Sequence, residues 1–239
     1  MVCAMTHSPL AVDIPDNLVT LKHELPYFFK ALHGDGPVHI VAMGSSSTAG
    51  RGDVVPYPAR LEMYLRAHYE ARFPELRIDV LNRGKGGQEA IEELQRFKPD
   101  IFELKPALAI WQVGTNAVFH NYNIRKVAEA IAEGLHQLSG HDFDVLLIDA
   151  QYTTAMLRDD NADASEQMMS LIATAADKAK VNLFRRWALM RHWHVHNNVA
   201  LADMIDPTDP DQLHQNDWST MQVSKALLAA INKVFQAMA

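Results

Sequence analysis

The sequence predicts an α/β fold: a three-layer α/β/α sandwich around a mostly parallel, five-stranded sheet. Three observations carry this. Short runs that are apolar at nearly every position recur along the chain, helical patterns separate them, and 239 residues is the size of one ordinary domain. A strand buried on both faces has to be apolar throughout, and strand–helix alternation joins such strands in parallel with helices on either side.

The elements follow in order. From Asp16 to His33 apolar residues stand at mixed helical spacing, and Pro26, which lacks an N–H, is expected to kink or split the segment. Residues 1–36 therefore read as an N-terminal helical extension and residues 37–239 as the main domain. Val38–Met43, Arg77–Leu81, Ala107–Val113 and Val145–Ala150 read as strands, with Val181–Phe184 as a shorter fifth. Helices are expected over Pro58–Arg72, Gln88–Phe97, Ile124–Leu138 and Ala162–Lys180. In the third of these, Val127, Ile131, Leu135 and Leu138 share one face. A closing helix, Thr220–Met238, turns Val223, Leu227, Leu228, Ile231, Val234 and Phe235 toward a core. Gln151–Asn161 and Arg185–Asn198 show no pattern that assigns them and read as loops.

Composition narrows the function classes. At 48% hydrophobic and 21% charged residues the chain can bury a sizeable core. A net charge of -7 argues against a nucleic-acid partner or an anionic membrane surface. No apolar run reaches transmembrane length. The single cysteine, Cys3, excludes an intrachain disulfide and a cysteine-based zinc site. Met1–Pro15 lacks a basic start followed by an apolar core, so no signal peptide is read; a cytoplasmic location is the default expectation, with a processed exported form as the alternative.

In parallel sheets ligands gather at the carboxyl ends of the strands, and four residue clusters stand there or late in the chain. They are Gly44-Ser45-Ser46-Ser47-Thr48-Ala49-Gly50, Asn82-Arg83-Gly84-Lys85-Gly86-Gly87-Gln88, Gly114-Thr115-Asn116 and Asp211-Gln212-Leu213-His214. Chemistry joins them. A serine hydroxyl becomes a nucleophile when an imidazole takes its proton, and a carboxylate holds that imidazole in the right tautomer. Attack on an ester makes an oxyanion, which needs preorganised donors such as glycine-turn N–H groups and an asparagine amide.

On these blocks and their order the chain resembles the SGNH hydrolase family (GDSL-like esterases and lipases), from about Val38 to the closing helix. The resemblance implies a flavodoxin-like domain and a serine ester hydrolase. Ser46 would be the nucleophile and its own N–H the first oxyanion donor. Gly87 would give a second N–H and Asn116 a side-chain amide. Asp211 and His214 would complete the triad. It implies no metal and no organic cofactor. The partner it implies would be a small-molecule or carbohydrate ester, with short acyl groups such as acetyl on carbohydrate preferred because the family commonly handles them. Two positions depart from the pattern: Ser45 stands where the family has aspartate before the nucleophile, and Ala117 where aspartate often follows Gly-x-Asn. Acyl transfer to an alcohol uses the same triad, and an inactive acyl-glycan binding domain could keep the pocket; the complete set of blocks speaks against the latter.

The same residues admit other readings. Ser45–Ser47 suits a helix N-terminus on its own. The glycines at 84–87 resemble a dinucleotide loop, but Glu89 stands where its last glycine belongs, and no Gly-x-Ser-x-Gly elbow occurs. Asn116 suits a loop cap. Asp203, Asp206 and Asp209 compete with Asp211 for His214; closeness within one turn of chain favours Asp211. His192, His194 and His196 lack accompanying carboxylate or cysteine ligands and read as surface or pocket-wall residues. Arg51-Gly52-Asp53 reads as a chance likeness to an adhesion tripeptide. The four tryptophans read as packing, with Trp193 and Trp218, joined by Leu189 and Met190, near enough to the histidine loop in sequence to line a pocket.

Overall fold

The computed structural model describes residues 11–159 and 161–238; Cys3 and the first part of the stretch read for a signal peptide lie outside them. The strands are β1 (Val38–Gly44), β2 (Ile78–Gly84), β3 (Leu108–Gln112), β4 (Asp144–Ile148) and β5 (Asn182–Phe184). All neighbouring pairs run parallel in the order β2-β1-β3-β4-β5, the flavodoxin-like order. The sheet is thus wholly parallel, and each of the five expected strands is found within a few residues of its expected bounds.

The helices are α1 (Asp16–Val19), α2 (Pro26–Leu32), α3 (Ser46–Ala49), α4 (Tyr57–Tyr69), α5 (Ala90–Leu94), α6 (Phe97–Asp100), α7 (Thr115–Phe119), α8 (Ile124–Leu138), α9 (Thr154–Leu157), α10 (Asn161–Ala179), α11 (Arg186–His196) and α12 (Asp217–Met238). α8 packs against α5 and α10 to form one outer layer, and α12 packs against α4 and α1 to form the other. Val127, Ile131, Leu135 and Leu138 are buried, as their shared face requires. Asn123 fixes the start of α8 by accepting from the Arg125 and Lys126 N–H groups.

Pro26 does split the first helical segment, because it opens α2 at a position where its missing N–H costs nothing. The segment is not detached. Val19, Leu25, Phe28 and Leu32 enter the same core as the sheet. The Phe28 N–H donates to Asp144 (2.8 Å), and the Asn182 side chain bonds both polar groups of the His23 backbone (2.9 Å each).

Arg185–Asn198, which has no readable pattern, contains the helix α11. Arg186, Trp187, Leu189, Met190 and Trp193 are all buried on it, so no single apolar stripe marks it. Leu189, Met190 and Trp193 belong to the core and are not among the residues lining the cavity at Ser46 and His214; Trp218 packs edge-on against Trp193 at 6.0 Å.

β2 is an edge strand, and side chains of α4 occupy its outer hydrogen-bonding row. Glu62 accepts from the Val80 N–H (2.7 Å), and Arg66 donates to the Ile78 carbonyl (2.7 Å).

Candidate active site

The sheet order reverses between β1 and β3, and a doubly wound sheet opens a crevice at that point. β1 ends in Gly44, and the chain turns at once into α3, whose first residue is Ser46. β3 leads into Gly114 and α7, whose second residue is Asn116. Topology therefore brings the first and third glycine-containing turns to one crevice.

The second turn is bound to the first by close backbone contact. The Asn82 side chain donates to the Thr48 carbonyl (2.8 Å) and accepts from the Gly84 N–H (2.9 Å). A Cβ on Gly84 would lie 2.1 Å from the Ala49 nitrogen, so only glycine lets α3 rest on β2. Gly86 approaches Ser46: a Cβ placed there would stand 3.8 Å from that of Ser46. Gly87 has φ +78, a left-handed conformation that favours glycine. A Cβ on Gly87 would meet nothing within 4 Å, so its requirement for glycine is conformational and not one of crowding.

His214 reaches the crevice from a closed loop. Ile205 and Gln215 form an antiparallel bridge, and the Asp206 N–H donates to the His214 carbonyl (2.9 Å), which joins the two ends of the loop. The ring nitrogen Nε2 of His214 lies 2.9 Å from Ser46 Oγ. Its Nδ1 lies 2.8 Å from Oδ2 of Asp209.

The aspartate on His214 is thus Asp209, and the expectation for Asp211 is corrected. Within the loop, Asp209 N–H bonds back to Asp206 and Gln212 N–H back to Asp209, with Gln212 at φ +56. This turn carries Asp211 to its exposed tip, while the Asp209 carboxylate turns inward. Oδ2 of Asp209 also accepts from the backbone N–H groups of His214 (2.8 Å) and Leu213 (2.9 Å). Asp203 is exposed on a short helical turn, and Asp206 is committed to Thr208 (2.8 Å).

Asp209 is 3% exposed. Burial pushes its carboxyl upward, but the His214 backbone N–H, the Arg51 guanidinium and the His214 ring outweigh burial and hold it well below the usual carboxylate range. Arg51 forms an ion pair with Oδ1 of Asp209. Arg51 thus belongs to the site, and its place in an Arg-Gly-Asp run is incidental.

Beneath Ser46 lies a buried polar network. Gln151, just beyond β4, accepts at Oε1 from Ser47 (3.2 Å), Thr115 (3.1 Å) and Arg186 (2.8 Å), and donates to the Leu213 carbonyl (3.2 Å). It joins the serine turn, the α7 turn and the histidine loop. Burial pulls the Arg186 guanidinium down to about 10, against the opposing pull of Asp149. Ser45, where aspartate was missing, donates to Gln112 (3.3 Å) and is buried.

Asn116 is 2% exposed and gives one amide hydrogen to the Gln88 carbonyl (2.7 Å). Among the described residues the Ser46 and Gly87 backbone N–H groups are taken by no other group. The third turn is held by Glu89, the residue that breaks the dinucleotide pattern. Asp209, Arg51, Gln151 and Glu89 are the site residues that the four blocks do not contain. Gln151 was open to the strand-end rule, since it stands three residues beyond the end of β4.

His192 bonds Asp13 (2.9 Å) and His194 the Val199 carbonyl (2.8 Å), while the rings of His192 and His196 stand 4.8 Å apart. Among the described residues no group of three or more His, Cys, Asp or Glu side chains is arranged to hold a metal.

A cavity of about 30 Å³ opens beside Ser46 and His214, walled by Val54, Pro56, Tyr57, Ile148 and Val223. A larger one, about 850 Å³, lies between α10, α11 and the N-terminal segment and includes neither Ser46 nor His214.

A wholly parallel α/β/α domain thus carries a serine, a histidine and an aspartate hydrogen-bonded in a row at its switch point. The chain belongs to the Non-GDSL lipase-like family, whose model matches residues 11–237 and so takes in the N-terminal segment as well. Among solved structures it is similar to LAE5, an alpha/beta hydrolase enzyme from the metagenome of Lake Arreo, Spain (21% identity, TM-score 0.64, covering 82% of this chain and 96% of that one). It is also similar to Axe2, an acetylxylan esterase from Geobacillus stearothermophilus (17% identity, TM-score 0.66, covering 81% and 94%). Catalytic mutants of Axe2 replace a serine, a histidine and an aspartate, the last two standing three positions apart. No curated protein matches the chain.

Proposed function

We propose that the chain is a carboxylic ester hydrolase of the SGNH type that works through an acyl-Ser46 intermediate. The observation that carries this reading is the continuous row Ser46 Oγ–His214 Nε2 (2.9 Å) and His214 Nδ1–Asp209 Oδ2 (2.8 Å). An inactive binding module would have no need of it.

His214 accepts the Ser46 hydroxyl proton as Oγ bonds the ester carbonyl carbon, and the carbonyl electron pair moves onto oxygen. The Ser46 and Gly87 N–H groups and the second Asn116 amide hydrogen receive that oxyanion. The tetrahedral adduct collapses, the carbon–alkoxy bond breaks, and His214 returns its proton to the leaving alcohol. Water then gives a proton to His214 and attacks the acyl carbon. Collapse of this second adduct frees the acid and restores Ser46 with its proton. Asp209 stays ionised throughout and fixes the proton on Nδ1.

A short acyl ester, such as acetyl on a carbohydrate or another small alcohol, is the substrate class this reading favours; the acetylxylan activity of the similar Axe2 agrees with it.

A chain-length panel of aryl esters tests this. Acetyl esters should turn over fastest, with free acid appearing in the absence of any acceptor alcohol, whereas acyl transfer would require one. A phosphonate ester should label Ser46 alone. Labelling of Ser45 or Ser47, or unchanged hydrolysis by Ser46→Ala, would remove the assignment.

A further inference from the structure

The buried carboxylate of Glu89 touches none of the reacting atoms, yet it joins the two turns that carry the oxyanion donors. It stands directly after the Gly84–Gln88 turn and is 3% exposed. Its Oε1 accepts from the Ala90 N–H (2.9 Å) at the start of α5 and from the Gly114 N–H (3.2 Å). Its Oε2 accepts from the Ala117 N–H (2.7 Å) in the first turn of α7. In the reverse direction Asn116, between those two donors, bonds the Gln88 carbonyl (2.7 Å). The second and third turns are therefore clasped by bonds running both ways.

We propose that Glu89 is a positioning residue for ester hydrolysis: it clamps the Gly87 turn to the Gly114–Ala117 turn, so that the Gly87 N–H and the Asn116 amide keep one fixed separation. The inference rests on the ester-hydrolase reading above. Burial pushes the Glu89 carboxyl upward, while the Ala90, Ala117 and Gly114 N–H groups pull it down; all three are donors, so the ionised form, which only accepts, is the one that satisfies them together. Ala117 stands where the resembled family often has aspartate, and its N–H is one of the groups Glu89 receives.

A misplacement of the donors would leave substrate binding nearly intact and slow the chemical steps, because the oxyanion exists only near the transition state. Glu89→Gln keeps the shape but presents an amide N–H₂ to one of the backbone donors. We expect its kcat to fall by about 100-fold with little change in KM, on the scale of losing one oxyanion donor. Exchange of the Gly114 and Ala117 amide hydrogens, followed by NMR, should quicken. Glu89→Gln combined with Asn116→Ala should be barely slower than Asn116→Ala alone, because both changes remove the same stabilisation. Full turnover in Glu89→Gln, or losses that multiply in the double variant, would overturn the proposal. Should Glu89→Gln fail to fold, Glu89→Asp, with its charge kept and its reach shortened, takes the same place in the comparison. The exchange measurement needs no ester. A wild-type protein that cleaves none refutes the proposed function, whereas unchanged Ala117 exchange in Glu89→Gln refutes the clamp.

Discussion

Arg51 forms its ion pair with the Asp209 oxygen that the His214 ring does not use. The two partners divide one carboxylate, Oδ1 to the guanidinium and Oδ2 to the imidazole. An Arg51 nitrogen also stands 3.1 Å from His214 Nδ1, but a guanidinium only donates and Nδ1 already turns its hydrogen to Asp209, so that approach makes no bond. Arg51 thus joins the His214 and Leu213 N–H groups in favouring an ionised, inward-turned Asp209.

The choice between Asp209 and Asp211 is the most direct test of the site. Asp209→Asn should lower kcat by roughly ten-thousand-fold, because an amide in that place favours the wrong imidazole tautomer. Asp211→Asn, at the exposed tip of the loop, should stay within a small factor of wild type. Steady-state kinetics on the two variants decide it, and the reverse order would restore Asp211.

Arg51→Met should change the acid side of the stability profile. Asp209 has a folded pKa depressed below its ordinary 3.8, so the stability it contributes is present above that pH and is lost as pH falls further. Removal of Arg51 weakens the depression. The variant should melt lower than wild type at neutral pH, and the gap should close on acidification below about 3.8. A gap independent of pH would show that Arg51 acts through packing alone.

Asn116→Ala should lower kcat by about a hundred- to a thousand-fold with KM little changed. Its bond to Gln88 also makes it structural, and a drop in melting temperature should accompany the kinetic loss. A destabilised protein with normal turnover would reduce Asn116 to a loop cap. Gly87→Ala should cost about 1–2 kcal/mol for its left-handed φ, without the added penalty of a clash.

Glu93 predicts an alkaline effect. Burial first, and the charge of Glu89 second, push this buried carboxyl from 4.5 up to about 8. It holds its proton in the folded chain where the unfolded chain has lost it. The stability linked to that proton is complete below about 4.5 and declines as pH rises to about 8. Glu93→Gln, which can still accept from Trp111, should flatten the decline of melting temperature between pH 5 and 8. An unchanged slope would place the proton elsewhere.

The strands were legible because a sheet buried on both faces leaves no choice but apolar runs, and α8 because its four buried residues form one stripe. α11 was hidden by the same logic in reverse: burial all round, with Arg186 among the buried residues, erases the period that marks a helix. The glycine turns were legible because backbone contact and positive φ restrict the residue type. Asp209 was not, because separation along a turn does not say which side chains face inward. Glu89 and Gln151 act by joining elements distant in sequence, which leaves no local pattern.

Glu62 and Arg66 bear on the behaviour of the chain in concentrated solution. By taking the Val80 N–H and the Ile78 carbonyl they stand in for the strand that would otherwise lie beyond β2. An uncovered edge of this kind is a template on which a second molecule can add a strand, and growth along it has no natural end. The two side chains amount to a stop placed at the one long margin of the sheet, and their loss would appear as aggregation well before it appeared in the chemistry at Ser46.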